Sequence, residues 1–301
     1  MYTVSVIIPT HNRPDSLLLT LNSVINQTVK PYEVIVVIDG NSPDIEELLQ
    51  SYGTNGIPLL IEHLKQKKGA CFARNHGANR STGDILMFLD DDDIWEPTKV
   101  EDQLNVFKAK PEVGLVYSGR IVVYEDDRST PIRKITPVMK GKLFPHIFYD
   151  NYIGTTSSVA LKRSLFMEVG GFDVNLPAMQ DYDLWIRFCK LTSVDHDSKY
   201  NVRYSVYRNP DLHIGGKGNY HKFVVNYMMK KYKDELEQLS PKVKRRFKSS
   251  RFLHVAKAVY KKSYIRSLRF SMKSYINYPN IKAIVLLFPK GLATRLSKRI
   301  Y

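Results

Sequence analysis

The chain has 301 residues, 43% hydrophobic and 25% charged, values that exclude a disordered or fibrous polymer and predict one large domain with an extension, or two domains. Its two cysteines, Cys71 and Cys189, match no metal-ligand spacing and read as buried thiols in a reducing compartment. The net charge of +15 is uneven: 21 Lys and Arg against 3 acidic residues lie between His221 and Tyr301, while residues 1–220 carry 24 basic against 27 acidic.

The opening segment MYTVSVIIPTHNRP has no basic residues before its apolar run and meets Pro9 early, so it predicts a strand rather than a signal peptide. No apolar run approaches the ~18 residues of a membrane span, and the expected location is cytoplasmic. Val4 to Pro9 is a first buried strand. Leu17, Leu18, Leu21, Val24 and Ile25 recur at helical spacing, so a helix follows. Val34 to Ile38 is a second strand closed by Asp39-Gly40, and the Ser42-Pro43 signal opens a helix to Tyr52. Leu59 to Leu64 is a third strand, Ala70 to Ala78 a helix and Ile85 to Leu89 a further strand. Strands alternating with helices predict an α/β fold around a mostly parallel sheet. In the middle third, strands are expected at Gly114 to Tyr117, Ile121 to Tyr124 and Ser158 to Leu161, with helices at Arg163 to Val169 and Tyr182 to Cys189; their order is not readable. From about Gly216 the chain reads as helical.

The stretch FLDDDDIW, Phe88 to Trp95, places four aspartates at the C-terminal end of a central strand, beyond which open α/β sheets bind ligands. Adjacent carboxylates repel by about 1 kcal/mol per pair even in water at ~4 Å. A hard divalent cation, Mg²⁺ or Mn²⁺, takes oxygen ligands and would relieve that repulsion. The alternatives are a solvated turn capping a helix that opens near Glu96-Pro97, and an aspartate nucleophile for phosphoryl transfer. No GxGxxG or P-loop pattern occurs. A second acidic pair, Asp181 and Asp183 in AMQDYDLWIRFCK, opens a helix whose dipole favours carboxylates, and the VGGFDVNLP segment before it permits close backbone approach.

SVIIPTHNRP, VIVVIDGN, KGACFARNHGA, GDILMFLDDDDIW, LKRSLFMEVGGFD and QDYDLWIR occur in that order over about residues 3 to 190. In this the chain resembles the family 2 inverting glycosyltransferases of the GT-A fold. The resemblance implies a nucleotide-sugar donor, UDP-hexose first among them, and a Mn²⁺ or Mg²⁺ cofactor. It places Pro9, Thr10 and Asn12 at the nucleotide base, Arg13 at the phosphates, Asp39 on the uracil or ribose and Arg74 near the nucleotide. Asp90-Asp91-Asp92 is then the DxD element, with Asp92 on the metal, Asp91 on the ribose and Asp90 assisting either; Asp93 caps the next helix. Asp181 matches the catalytic base, with Gln180 replacing the commoner glutamate beside it. Asp183, Trp185, Thr155 and Thr156 fall on the acceptor side, and His213 lies where relatives bring a histidine toward the metal; a loop histidine with a local hydrogen bond is the alternative.

The implied organisation is a catalytic domain over 1–215, with a nucleotide-sugar half at 1–112 and an acceptor half at 113–215, followed by a basic helical region over 216–301. In that region Phe252, Val255, Ala256, Val259 and Tyr260 follow helical spacing among many cations, and Ile281, Val285, Phe288, Leu292, Leu296 and Ile300 continue a similar stripe. A basic amphipathic helix suits an anionic membrane surface, here the inner face of the cell membrane. A helical hairpin packed on the catalytic domain competes with it; nucleic acid is not the expected partner because no recognised motif is present. The expected activity is transfer of a sugar to a glycan or lipid-linked acceptor in surface-polysaccharide synthesis. The alternatives are a non-catalytic nucleotide-sugar or glycan-binding protein of the same fold, and a basic nucleic-acid-binding protein.

Overall fold

Apolar β-branched runs become strands that bury both faces. A computed structural model describes residues 2–208, 220–260 and 263–288. In chain order it contains β1 (Val4–Thr10), α1 (Pro14–Ile25), β2 (Glu33–Asp39), α2 (Pro43–Ser51), β3 (Leu59–Leu64), α3 (Ala70–Arg80), β4 (Ile85–Phe88), β5 (Ile94–Trp95) and α4 (Lys99–Ala109). Then come β6 (Val113–Tyr117), β7 (Arg120–Tyr124), β8 (Asp127–Ile135), β9 (Val159–Lys162), α5 (Arg163–Glu168), α6 (Gln180–Leu191), β10 (Ser193–His196) and β11 (Val202–Val206).

Seven strands form one sheet in the order β10-β6-β9-β4-β1-β2-β3. Neighbours run parallel except β9, which is antiparallel to both β4 and β6. Every residue of β1 and β4 is buried, as central strands of a parallel sheet covered on both faces must be. The core runs from Val6, Ile8, Val36 and Met87 out to Leu17, Leu21, Val100 and Phe107 on the covering helices. Burying each such side chain is favourable by about 1.5–3 kcal/mol. Because β1, β2 and β4 are parallel, their C-terminal ends open on one edge and bring Thr10, Asp39 and the Asp90 turn to the same side.

A second sheet, β5-β11-β7-β8, stands beside the aspartate turn. Its strand β8 is an edge, largely exposed, and is protected from further pairing by Pro131 and by its charges at Arg128, Arg133 and Lys134. Strands β8, β10 and β11 were not expected: β8 and β10 lack an apolar alternation, while the alternation of β11 (VRYSV) spans only five residues. They exist because neighbouring strands pair with them, Val202–Val206 lying between β5 and β7. The helix expected to open near Glu96-Pro97 starts at Lys99, after the N-cap position Thr98. Asp93 is therefore not its cap: β5 intervenes, and the fully buried Asp93 carboxylate accepts the Ser205 N–H at 2.8 Å.

The described residues divide into two compact units. The first holds both sheets and comprises residues up to Leu143, Tyr152–Asn175 and Gln180–Arg208. The second gathers Phe144–Asn151, Leu176–Met179 and the described residues beyond Arg208. It is helical: α7 (Tyr220–Lys231), α8 (Lys233–Gln238), α9 (Pro241–Val259), α10 (Tyr264–Asn277) and α11 (Ile281–Val285). Phe148, Tyr232 and Phe247 form an edge-to-face cluster with centroids 5.1–6.5 Å apart, and Val225, Val255 and Val259 make a second apolar contact. The stripe expected to lie on a membrane is thus partly interior, since Val255, Ala256 and Val259 are buried. Leu292, Leu296 and Ile300 lie outside the described residues. No described helix is long and apolar enough to cross a membrane.

Candidate active site

The four aspartates fold into a tight turn closed by the Asp93 N–H donating to the Asp90 carbonyl at 3.0 Å. The turn sends each carboxylate to different partners. Asp90 pairs with Arg74 and accepts from Thr156 Oγ1 at 3.2 Å, while its own N–H donates to Ser157 Oγ. Asp91 accepts from Thr10 Oγ1 at 2.8 Å and from Arg13 Nη1 at 3.1 Å. Asp92 accepts from the same Arg13 nitrogen at 2.8 Å and from the Tyr207 hydroxyl at 3.1 Å. Two guanidinium groups therefore meet a cluster of four carboxylates, and the imbalance is felt in their acidities. Burial, reinforced by Asp92 and Asp90, pushes Asp91 up to about 6 against the pull of Arg13. Asp92 is raised by burial and then by Asp90, and Asp93 lies well above the usual carboxylate range for the same reasons.

This donor set fits one kind of cation site and not another. Among the described residues no three His, Cys, Asp or Glu side chains converge as an all-protein cage. Mg²⁺ and similar ions are commonly held by only one or two carboxylates together with substrate phosphates and water. Asp92, with Asp90 behind it, offers that arrangement and carries like-charge repulsion that a cation would relieve. His213 lies outside the described residues.

Around the turn, the remaining expected site residues take up distinct places. Pro9 and Thr10 are buried at the end of β1, so only the Thr10 hydroxyl addresses the turn. Asn12 adopts a left-handed conformation (φ 52°) and exchanges two hydrogen bonds with Ser42, whose side chain is thereby drawn away from capping α2. Asp39 accepts the Lys68 N–H at 2.6 Å and the Gly69 N–H at 2.8 Å, fastening the loop between β3 and α3. Arg74 is buried rather than a surface arginine, its guanidinium 5.4 Å from the Phe172 ring centroid. Its neighbour Asn75 clamps the Phe172 backbone by two hydrogen bonds of 2.8 Å. Gly171 (φ +69°) makes that clamp possible, because a Cβ there would stand 2.5 Å from Asn75 Oδ1.

That clamped loop leads to Asp181, in the first turn of α6. Its Oδ1 accepts the Tyr182 N–H at 2.7 Å. Burial raises its pKa above the usual carboxylate value, Asp90 adds to this, and Arg74 and Arg120 oppose it. Asp183 and Trp185, two and four residues on, are fully buried: Asp183 pairs with Arg187 at 2.7 Å, and Trp185 Nε1 donates to the Gly154 carbonyl at 3.0 Å. Thr156 sits against Asp90, and Thr155 Oγ1 is buried with no hydrogen-bond partner among the described residues. The structure thus gathers Thr10, Arg13, Arg74, Asp90, Asp91, Asp92 and Thr156 directly, with Asp181 within electrostatic reach and Asp39 and Asn12 bracing adjacent loops.

Three residues of this cluster carried no sequence signal. Arg120 opens β7 and packs its guanidinium over Gly154 (φ +101°), where no Cβ could fit. Its Nε is buried without a partner among the described residues, and burial lowers its pKa while Tyr204 and Asp181 hold it up. Tyr204 and Tyr207 come from β11 and its end, and the Tyr207 hydroxyl reaches Asp92.

Comparison with known proteins places this geometry. Residues 5–170 match the family described as Glycosyl transferase family 2. The chain belongs to that family. This family 2 glycosyltransferase is 31% identical over 185 residues to an uncharacterised glycosyltransferase of Haemophilus influenzae, an alignment covering 61% of each chain. It is 29% identical to the amylovoran biosynthesis glycosyltransferase AmsB of Erwinia amylovora, over 62% of this chain and 64% of AmsB. It thus spans less than two thirds of the length of either relative. Among solved structures, S. aureus TarS 1-349 in complex with UDP superposes with a TM-score of 0.57 at 15% identity, covering 95% of this chain and 90% of that one. That likeness is one of fold, the GT-A type with its helical C-terminal extension.

Proposed function

We propose that this family 2 glycosyltransferase moves a hexose from a UDP-sugar to a hydroxyl group of a glycan or lipid-linked acceptor, with inversion and with a divalent cation. The observation that carries the reading is the meeting of the aspartate turn, Arg13 and Arg74 with Asp181. In the proposed arrangement, 1–112 holds the donor, 113–215 receives the acceptor and 216–301 is the basic helical region. Asp92, assisted by Asp90, would hold the Mn²⁺ or Mg²⁺ ion, which when bound neutralises charge on the departing diphosphate. Arg13, now engaged by Asp91 and Asp92, turns toward the diphosphate as donor binds, and Arg74 holds Asp90 in place by their ion pair. Asp91, Asp39, Asn12 and the Pro9-Thr10 strand end line the nucleoside.

A hydroxyl is a poor nucleophile until its proton is taken. The Asp181 carboxylate accepts that proton while the acceptor oxygen attacks the anomeric carbon and the bond to UDP breaks. A raised pKa suits a general base, because the pKa of its conjugate acid then lies closer to working pH. Support for a single displacement comes from Asp183: the next carboxylate along α6 is fully buried against Arg187 and offers no second nucleophile. Arg120, packed on Gly154, steadies the Asp181 charge.

Support for UDP comes from the TarS complex of the same fold, and for a polysaccharide acceptor from AmsB. A lipid-linked acceptor also accords with a basic C-terminal region resting on an anionic membrane surface. Calorimetric titration of UDP with Mn²⁺, with EDTA, and into Asp92→Ala tests the donor site. Binding that requires both the cation and Asp92 is the expected result; binding indifferent to both would remove the metal and Asp92 from the scheme.

A further inference from the structure

Helix α10 is amphipathic in the reverse sense from a helix of an ordinary soluble hairpin. Its buried positions are Ser267, Ser271 and Ser274, each with no exposure. Ser267 Oγ donates to the Ala256 carbonyl and Ser274 Oγ to the Ser249 carbonyl, both at 2.9 Å, so hydroxyl groups bond α9 backbone where apolar side chains would ordinarily pack. Phe270 packs inward against Val225, Val255 and Val259, but the other large apolar side chains are left outside: Ile265 is 64% exposed, Met272 51% and Ile276 70%, with Leu268 partly covered and Tyr275 exposed. At 3.6 residues per turn these side chains fall within an arc of about 100° on the side away from the serines. Arg266, Arg269 and Lys273 fall beside that arc.

The apolar surface continues onto α11. Tyr264 and Tyr260 donate their hydroxyls to the Leu287 and Phe288 carbonyls, at 2.5 and 2.9 Å, closing α11 back against the start of α10. Ile281, Ile284 and Phe288 are exposed there, whereas Ala283 and Val285 face inward. After Glu237 the chain holds seventeen Lys and Arg and no acidic residue. An exposed apolar stripe next to cations, with tyrosines at its border, matches an anionic lipid interface in both polarity and charge.

We propose that the exposed face of α10 and α11, centred on Ile265, Met272, Ile276 and Ile281, inserts into the headgroup boundary of an anionic membrane, flanked by Arg266, Arg269 and Lys273. This rests on the membrane association proposed above and moves the contact from α9, whose stripe is partly interior, to the opposite side of the hairpin. Insertion would hold the enzyme at the surface where a lipid-linked acceptor is presented.

The test uses the full chain and phosphatidylcholine vesicles with and without phosphatidylglycerol. The wild type is expected to sediment with the anionic vesicles, and I265S/M272S/I276S to lose binding by about 100-fold while melting with the wild type. Ile276→Trp provides a direct reading: Trp95 and Trp185 are buried, so quenching of the new emission by lipids brominated on their acyl chains reports insertion of this face. If the wild type fails to bind anionic vesicles, the membrane reading itself falls, and this inference with it. If the wild type binds but the triple serine variant binds equally and the emission of the introduced indole is unquenched, association occurs through another surface and only this inference is overturned. Self-association of the wild type without lipid, abolished in the triple variant, would make the face an interface between copies and would equally overturn it.

Discussion

Replacing Asp181 by Asn isolates the proton-transfer step. The substitution preserves size and leaves an oxygen to accept the Tyr182 N–H at 2.7 Å, so the first turn of α6 keeps its geometry. What disappears is the basic oxygen. General-base catalysis is typically worth 10²- to 10⁴-fold, or about 2.7–5.5 kcal/mol of barrier. The pH dependence gives a second, independent reading. Burial and the charge of Asp90 raise the Asp181 pKa above its ordinary value of 3.8, and only the deprotonated form accepts a proton, so kcat/KM should fall as pH drops through that raised value. The assay is UDP release with a saturating acceptor extract across pH, beside UDP binding by calorimetry. Asp181→Asn is expected to bind UDP as the wild type does, to lose at least about 100-fold in kcat and to flatten the acid limb. A variant within tenfold of the wild type, or one whose loss lies wholly in UDP binding, would refute Asp181 as the base.

Two further outcomes follow from the charges around it. Arg120→Met removes a cation that stabilises ionised Asp181, so the acid limb of kcat/KM should move to higher pH, whereas a purely structural arginine would lower activity without moving that limb. Asp91 has a folded pKa of about 6 against 3.8 for the ordinary group, so its contribution is present at low pH and lost as pH rises through about 6. Ionised Asp91 therefore costs about 3 kcal/mol at pH 7. Metal-free wild type should melt lower at pH 7 than at pH 5, and Asp91→Asn should reduce that difference; an unchanged slope would remove Asp91 as its source.

Most of the first sheet was legible because its strands are continuous apolar runs and its helices repeat at three and four residues. β3 has the expected bounds, β1, β4 and α3 differ from expectation by one or two residues at the C-terminal end, and β2 is one residue longer at each end. The aspartate turn could be placed as well, since an apolar strand followed by four carboxylates must end where the aspartates begin. Partners were less legible. Arg74 and Asp90 are sixteen residues apart, Tyr207 and Asp92 over a hundred, and nothing local in a strand such as RIVVY marks Arg120 as the cation packed on Gly154. Strand β10 (SVDH) is defined by its neighbours, so its composition carried little warning, whereas VRYSV in β11 does alternate apolar and polar residues over a short span.

Sequence alone determined the α/β class, the family, the strand end at which the acidic site lies and the concentration of positive charge in the last quarter of the chain. These are properties of local pattern: hydrophobic period, turn chemistry and charge count act over a few residues. Only the tertiary structure decided which carboxylate meets which arginine, that Asp183 is sealed against Arg187, and that α10 turns its serines inward and its isoleucines outward. Those outcomes depend on which faces of distant segments are packed together, and a stripe with helical spacing is equally compatible with a core and with a surface until its neighbour is in place.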